Sequence, residues 1–122
     1  DLLRRSDDGI EILDFKTRPR PDENSDRLAL YKQQLYLYAY ALQKNTGQLP
    51  HRLFLYWTAE KNKEDALMEI LYTSKQIEDV NTNLEDVVTG IRQRKFKINS
   101  LPEAEVCRAC DIRHFCRREG LL

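Results

Sequence analysis

The sequence predicts an α/β domain: a small mixed β-sheet flanked by helices. Three features carry that expectation. Two short strand-like runs meet at an Asp8-Gly9 dipeptide, a long helical run follows, and a nearly continuous apolar run then returns as a strand. Strands alternating with helices in one chain assemble a sheet with helices packed against it. At 122 residues the chain is expected to be a single domain with room for one core, because a second core needs more chain.

The elements are read in order. "DLLRRSDDGIEILDFKT" (1–17) is a hairpin, since Asp-Gly between alternating runs favours a two-residue turn. With Asp8 and Gly9 as the central pair, Asp7 opposes Ile10, Arg5 opposes Ile12, Leu3 opposes Asp14 and Asp1 opposes Lys16. A three-residue loop would instead put Asp1 on the other face. "RPRPDENSD" is a polar, Pro-containing loop that cannot continue the strand. Residues 27–45 form a helix with Asp26 as N-cap and Gly47 as stop. Leu28, Tyr31, Leu35, Tyr38 and Leu42 recur at helical spacing as its buried stripe. "HRLFLYWT" (51–58) is a strand covered on both faces, its Phe54, Tyr56 and Trp57 core residues and His51 structural. "ALMEILYT" (66–73) is another strand, and Ser74 caps a long helix patterned by Ile77, Val80, Leu84, Val87, Val88 and Ile91. A connector containing Pro102 leads into Cys107-x2-Cys110-x5-Cys116.

Charge and composition exclude several classes. Twenty basic and twenty acidic residues balance, but a neutral total leaves nucleic acid open as a partner, because the position of charge decides. Arg92, Arg94, Lys95 and Lys97 make one basic run, and Arg108, Arg113, Arg117 and Arg118 a second; each alone also reads as a solvated helix end. No apolar run approaches the roughly 18 residues of a membrane span, and no secretion signal leads the chain. Three cysteines, an odd number, fit an intracellular protein better than a disulfide framework.

The chemistry-bearing residues start in the second strand. Side chains alternate along a strand, so Asp14 and Lys16 share a face with Cα atoms about 7 Å apart. Asp1 joins them from the partner strand. Two carboxylates with a backbone carbonyl nearby, that of Phe15, suit a hard cation such as Mg²⁺ or Mn²⁺. Such an ion can activate water against a phosphodiester, with Lys16 orienting the water or stabilising developing charge. On the hairpin alone, a surface ion pair worth under about 1 kcal/mol explains the same residues.

The hairpin resembles the core hairpin of the PD-(D/E)xK nuclease superfamily, with Asp1 as the first acid and Asp14-Phe15-Lys16 as D-x-K. Gln34-x3-Tyr38 is similar to the Q-x-x-x-Y signature of its RecB-like branch, and that spacing puts both residues one helical turn apart. The cysteine triplet resembles the C-terminal part of the iron–sulfur site in AddB-type helicase–nuclease subunits and CRISPR-associated adaptation nucleases. A zinc site or core packing is the alternative for the triplet alone.

The resemblance spans residues 1–116 and implies a metal-dependent deoxyribonuclease, exonuclease-like, acting on single-stranded DNA or duplex ends. It implies Lys16, Gln34 and Tyr38 as catalytic groups, and Asp1, Asp14 and the Phe15 carbonyl as Mg²⁺ or Mn²⁺ ligands. Cys107, Cys110 and Cys116 would hold a [4Fe–4S] cluster. The family places a helix before the hairpin and a further cluster cysteine upstream, and neither precedes Asp1. The expectation is therefore the C-terminal core of a longer helicase- or recombination-associated protein (1–99 nuclease core, 100–122 cysteine tail). It would be cytoplasmic, associated with the nucleoid, and partnered by a helicase domain or subunit. This stretch alone is expected to be inactive, to lack the cluster and to have a loosely ordered tail. Two other readings are a DNA-binding scaffold that has lost catalysis and a zinc-stabilised interaction module.

Overall fold

The computed structural model of the chain describes residues 1–95, 104–118 and 120. Two compact units divide it, residues 1–86 and 87–122. The first contains β1 (Leu2–Ser6), β2 (Gly9–Lys16), α1 (Asp26–Thr46), β3 (Arg52–Trp57), α2 (Lys63–Ala66), β4 (Leu67–Glu69) and the start of α3 (Ser74–Arg92). One four-stranded sheet runs in the order β1-β2-β3-β4. Its central pair β2 and β3 is parallel and both outer pairs are antiparallel. The expected mixed sheet with flanking helices is what forms. Parallel neighbours need a crossover, and α1 supplies it.

The hairpin turn lies one residue earlier than Asp8-Gly9. Ser6 pairs with Gly9, so Asp7 and Asp8 are the central residues. Gly9 has φ 139° and starts β2, and a Cβ there would lie 3.3 Å from the His51 Cβ. The positive φ calls for glycine here and the close approach of His51 adds to it, at the first residue of β2 rather than at the centre of the turn. The loop keeps two residues, so facing parity is unchanged, but every partner shifts: Leu3 opposes Ile12 and Leu2 opposes Leu13.

The N-cap of α1 is Ser25, not Asp26, because the Ser25 hydroxyl accepts the Leu28 N–H at 3.2 Å. That is the N-cap geometry, with Asp26 left in the first turn facing the positive helix end. Gly47 ends the helix at φ 77°, its N–H reaching the Gln43 carbonyl at 2.8 Å. The buried face of α1 is Leu28, Leu35, Tyr36 and Ala39. It packs on Ile12, Leu53, Leu55 and Trp57 of the sheet and on Ile70 and Ile77. Tyr31, Tyr38 and Leu42, expected on the buried stripe, lie along its flank and are only partly covered.

Strand β4 is shorter than the expected 66–73. Residues 63–66 form a helical turn, and only Leu67–Glu69 pair with β3. Beyond them the segment is pinned by other means: Ile70 N–H to the Leu53 carbonyl, Tyr36 hydroxyl to the Leu71 carbonyl, and Tyr72 hydroxyl to the Pro50 carbonyl. Leu71 is thereby left exposed. On the sheet face away from α1, Arg4 pairs with Glu11, and Arg52 pairs in a two-point contact with Glu69. The Arg52 hydrogen bonds hold the Glu69 carboxyl below the usual range. Thr73, not Ser74, accepts the Gln76 N–H at the start of α3. Ile77 is buried and Val80 half-covered, whereas Leu84, Val87 and Ile91 are exposed.

In the second unit, α4 (Ala104–Ala109) and α5 (Arg113–Arg118) are short helices. Pro102 and Lys97 lie outside the described residues.

Candidate active site

The site forms where β2 ends beside α1. Asp14 is almost fully buried, at 2 % exposure, and Lys16 follows two residues later on the same face. The Lys16 backbone is fixed by neighbours: its carbonyl accepts the Thr58 N–H at 2.8 Å, and Trp57 lies opposite it on β3. Lys16 Nζ approaches Asp14 Oδ2 to 2.6 Å. That contact is an ion pair by distance, yet no donor is aligned on Oδ2 as a hydrogen bond. The ammonium is thus the charge partner of that buried oxygen, and a carboxylate oxygen with one such contact keeps a further lone pair that a cation could take.

From Lys16 a hydrogen-bonded chain crosses to β1. Lys16 Nζ donates to Gln34 Oε1 at 2.7 Å, Gln34 Nε2 donates to the Tyr38 hydroxyl oxygen at 2.7 Å, and that hydroxyl donates to Asp1 Oδ2 at 3.1 Å. An ammonium can only donate and a carboxylate only accept, so the two ends fix the direction of every bond between. The Gln34 amide has a single orientation compatible with both. Extending the β1–β2 register by one pair sets Asp1 opposite Asp14, rather than opposite Lys16 as the Asp8-Gly9 turn implied. The sequence-predicted residues Asp1, Asp14, Lys16, Gln34 and Tyr38 therefore gather in one place. The Phe15 side chain points to the other sheet face, half-exposed and edge-on to Tyr56 at 5.7 Å.

One further side chain touches the group. The Tyr31 ring lies with its centroid 4.3 Å from Lys16 Nζ and 5.5 Å from the Trp57 ring. It is three residues before Gln34, hence on the same side of α1. Read from sequence it belongs to a buried stripe.

A model of the PD-(D/E)XK nuclease superfamily matches residues 1–117. The chain belongs to that superfamily. No curated protein matches it alongside. Membership brings a nuclease-type function, with nucleic acid as the substrate class and divalent metal as the usual cofactor. The donor set fits such an ion: two carboxylates approach from neighbouring strands, and one has a buried, unaligned oxygen. Among the described residues no group of three or more His, Cys, Asp or Glu forms a complete cage. Water and phosphate oxygens would have to supply the rest, as Mg²⁺ sites commonly require.

The cysteines of this nuclease chain fit a cluster poorly. Cys107 lies in α4, Cys110 just after it and Cys116 in α5, all as half-buried free thiols. They do not converge into a metal-holding group among the described residues. No helix among those residues is long and apolar enough to cross a membrane.

Proposed function

We propose that this chain carries the catalytic core of a metal-dependent deoxyribonuclease of the RecB-like branch, associated with a helicase or a recombination and repair machine. The observation that carries the reading is the continuous polar chain Lys16–Gln34–Tyr38–Asp1, closed at its other end by the Lys16–Asp14 ion pair. A surface ion pair would need no glutamine and tyrosine from another element to orient it. Asp1, Asp14 and the Phe15 carbonyl would hold Mg²⁺ or Mn²⁺. Bound there, the ion supplies neutralisation of phosphodiester charge and a more acidic water.

The residues of the chain do the rest. Lys16 directs an N–H at the attacking water or at a non-bridging phosphate oxygen, where negative charge develops. Gln34 holds the ammonium and, through Tyr38, keeps the Asp1 carboxylate turned inwards. The hydrolysis adds water across a P–O bond, giving a phosphate monoester and a hydroxyl. The further reach of this reading, towards DNA ends, a helicase partner and a cytoplasmic, nucleoid-associated setting, rests on the RecB-like signature Gln34-x3-Tyr38. An adaptation nuclease is a variant of the same chemistry. A scaffold without catalysis is disfavoured because both the acid and the lysine remain.

The test is cleavage of end-labelled DNA, with Mg²⁺ or Mn²⁺, by the purified intact protein that carries this chain. Asp14→Asn and Lys16→Ala should each lower turnover by at least about 10²-fold, the cost of removing one transition-state contact. DNA affinity measured with Ca²⁺ should stay nearly constant. Unchanged metal-dependent cleavage by Asp14→Asn would sink the assignment.

A further inference from the structure

We infer that Tyr31 is a positioning residue for the Lys16 ammonium, holding it by its ring face. The inference rests on the proposed reading of Lys16 as the phosphate- or water-directing group. Three neighbours surround Nζ: Asp14 Oδ2 at 2.6 Å, Gln34 Oε1 at 2.7 Å and the Tyr31 ring centroid at 4.3 Å. The lysine side chain is only 12 % exposed, so the cation–π contact operates with little competing water and is stronger than at a surface.

The kind of contact matters as much as its strength. An ammonium has three N–H donors, and Gln34 takes one in an aligned hydrogen bond. A third polar neighbour in place of the ring would capture another. A ring face attracts the charge without accepting a directed bond. It fixes where the head group sits and leaves an N–H able to turn towards water or phosphate. Trp57 packs against the same ring, centroids 5.5 Å apart and planes tilted by 56°, which restrains the ring when the lysine is drawn towards substrate. The phenol hydroxyl has no part in this.

The variants follow from that division. Tyr31→Phe keeps the face and should cleave DNA within about twofold of the parent. Tyr31→Leu keeps apolar volume but removes the face, and should lower kcat about 3- to 30-fold with KM unchanged, the span of a partly desolvated cation–π contact. In a Lys16→Ala background the same Tyr31→Leu change should cost nothing more, because a residue that acts only through Lys16 has nothing left to position. A purely structural role would give additive losses.

A second readout needs no activity. In ¹³C-labelled protein the Lys16 Hε resonances, assigned by their absence in Lys16→Ala, should be shifted upfield by the ring. The shift should persist in Tyr31→Phe and vanish in Tyr31→Leu. Unshifted Hε signals in the unmodified chain overturn the inference even if Tyr31→Leu does not fold. So do additive losses, a wild-type kcat for Tyr31→Leu, or a Tyr31→Phe variant as damaged as Tyr31→Leu. Wild-type turnover by Lys16→Ala would instead remove the reading of the site itself. An inactive Lys16→Ala beside a fully active Tyr31→Leu would remove only the role given to Tyr31.

Discussion

Gln34 is the residue through which the two ends of the site are joined. Its carbonyl oxygen accepts from Lys16 and its amide nitrogen donates to Tyr38. Gln34→Leu would leave the ammonium without its aligned acceptor and the Tyr38 oxygen without its donor. Turnover should fall about 10- to 100-fold while DNA affinity holds, since neither lost bond is made to DNA; single-turnover cleavage and anisotropy in Ca²⁺ measure the two. An equal fall in affinity would mean Gln34 contacts DNA directly. Most of this constellation was legible in the sequence. A period of two sets Asp14 and Lys16 on one face of β2, and a spacing of four stacks Gln34 on Tyr38. Tyr31 was not legible, because an aromatic at helical spacing reads as core. Only the placement of α1 across the end of β2 turns its face towards an ammonium.

At the level of elements, the expected order of strands and helices formed, while ends and register moved by one or two residues. The moves have local causes. Ser25 and Asp26 are both good N-cap types, and sequence alone gives no reason to choose; in the structure Ser25 is extended at φ −77°, ψ 144° and its hydroxyl is the acceptor. Ser25→Ala should therefore destabilise the chain by about 1 kcal/mol. Asp26→Ala should cost less, about 0.3–1 kcal/mol, as a first-turn charge near the helix end. Urea unfolding of the two variants ranks them, and a larger loss for Asp26→Ala would contradict the cap geometry. The hairpin slip has a different origin: Asp8-Gly9 has the composition of a turn, but the approach of His51 claims Gly9 for β2. Such a long-range cause leaves no mark in the hairpin sequence. It also brings Asp1 opposite Asp14, a closer pairing of the two carboxylates than the expected register allowed. The shortened β4 is similar, since past Glu69 the segment is held by the Leu53 and Pro50 carbonyls and the Tyr36 hydroxyl, all from distant positions.

At the scale of the whole molecule, the nuclease core and the cysteine-bearing segment make different demands. The core gathers its site from β1, β2 and α1, all within residues 1–46. The segment offers Cys107, Cys110 and Cys116, and these are the only cysteines in the 122 residues. A [4Fe–4S] cluster takes four protein ligands as a rule, so at least one donor must come from elsewhere or from a non-cysteine side chain. His114 is the nearest alternative, but it shares the short helix α5 with Cys116 only two residues away. Residues two apart on a helix project in different directions and do not face one ligand site. The three thiols, moreover, are not gathered as a metal-holding group, so binding would have to drive their rearrangement. Metal binding can supply that energy only when the full ligand set contributes. Anaerobic reconstitution of the 122-residue chain with iron and sulfide should therefore leave no stoichiometric cluster, read as iron and sulfide content and visible absorbance after desalting. If a fourth donor from a longer polypeptide or a partner subunit completed the set, the absorbance would appear and would be sensitive to Cys107→Ser. A stable cluster at one per chain in residues 1–122 would show that His114 or another local group completes the set after all.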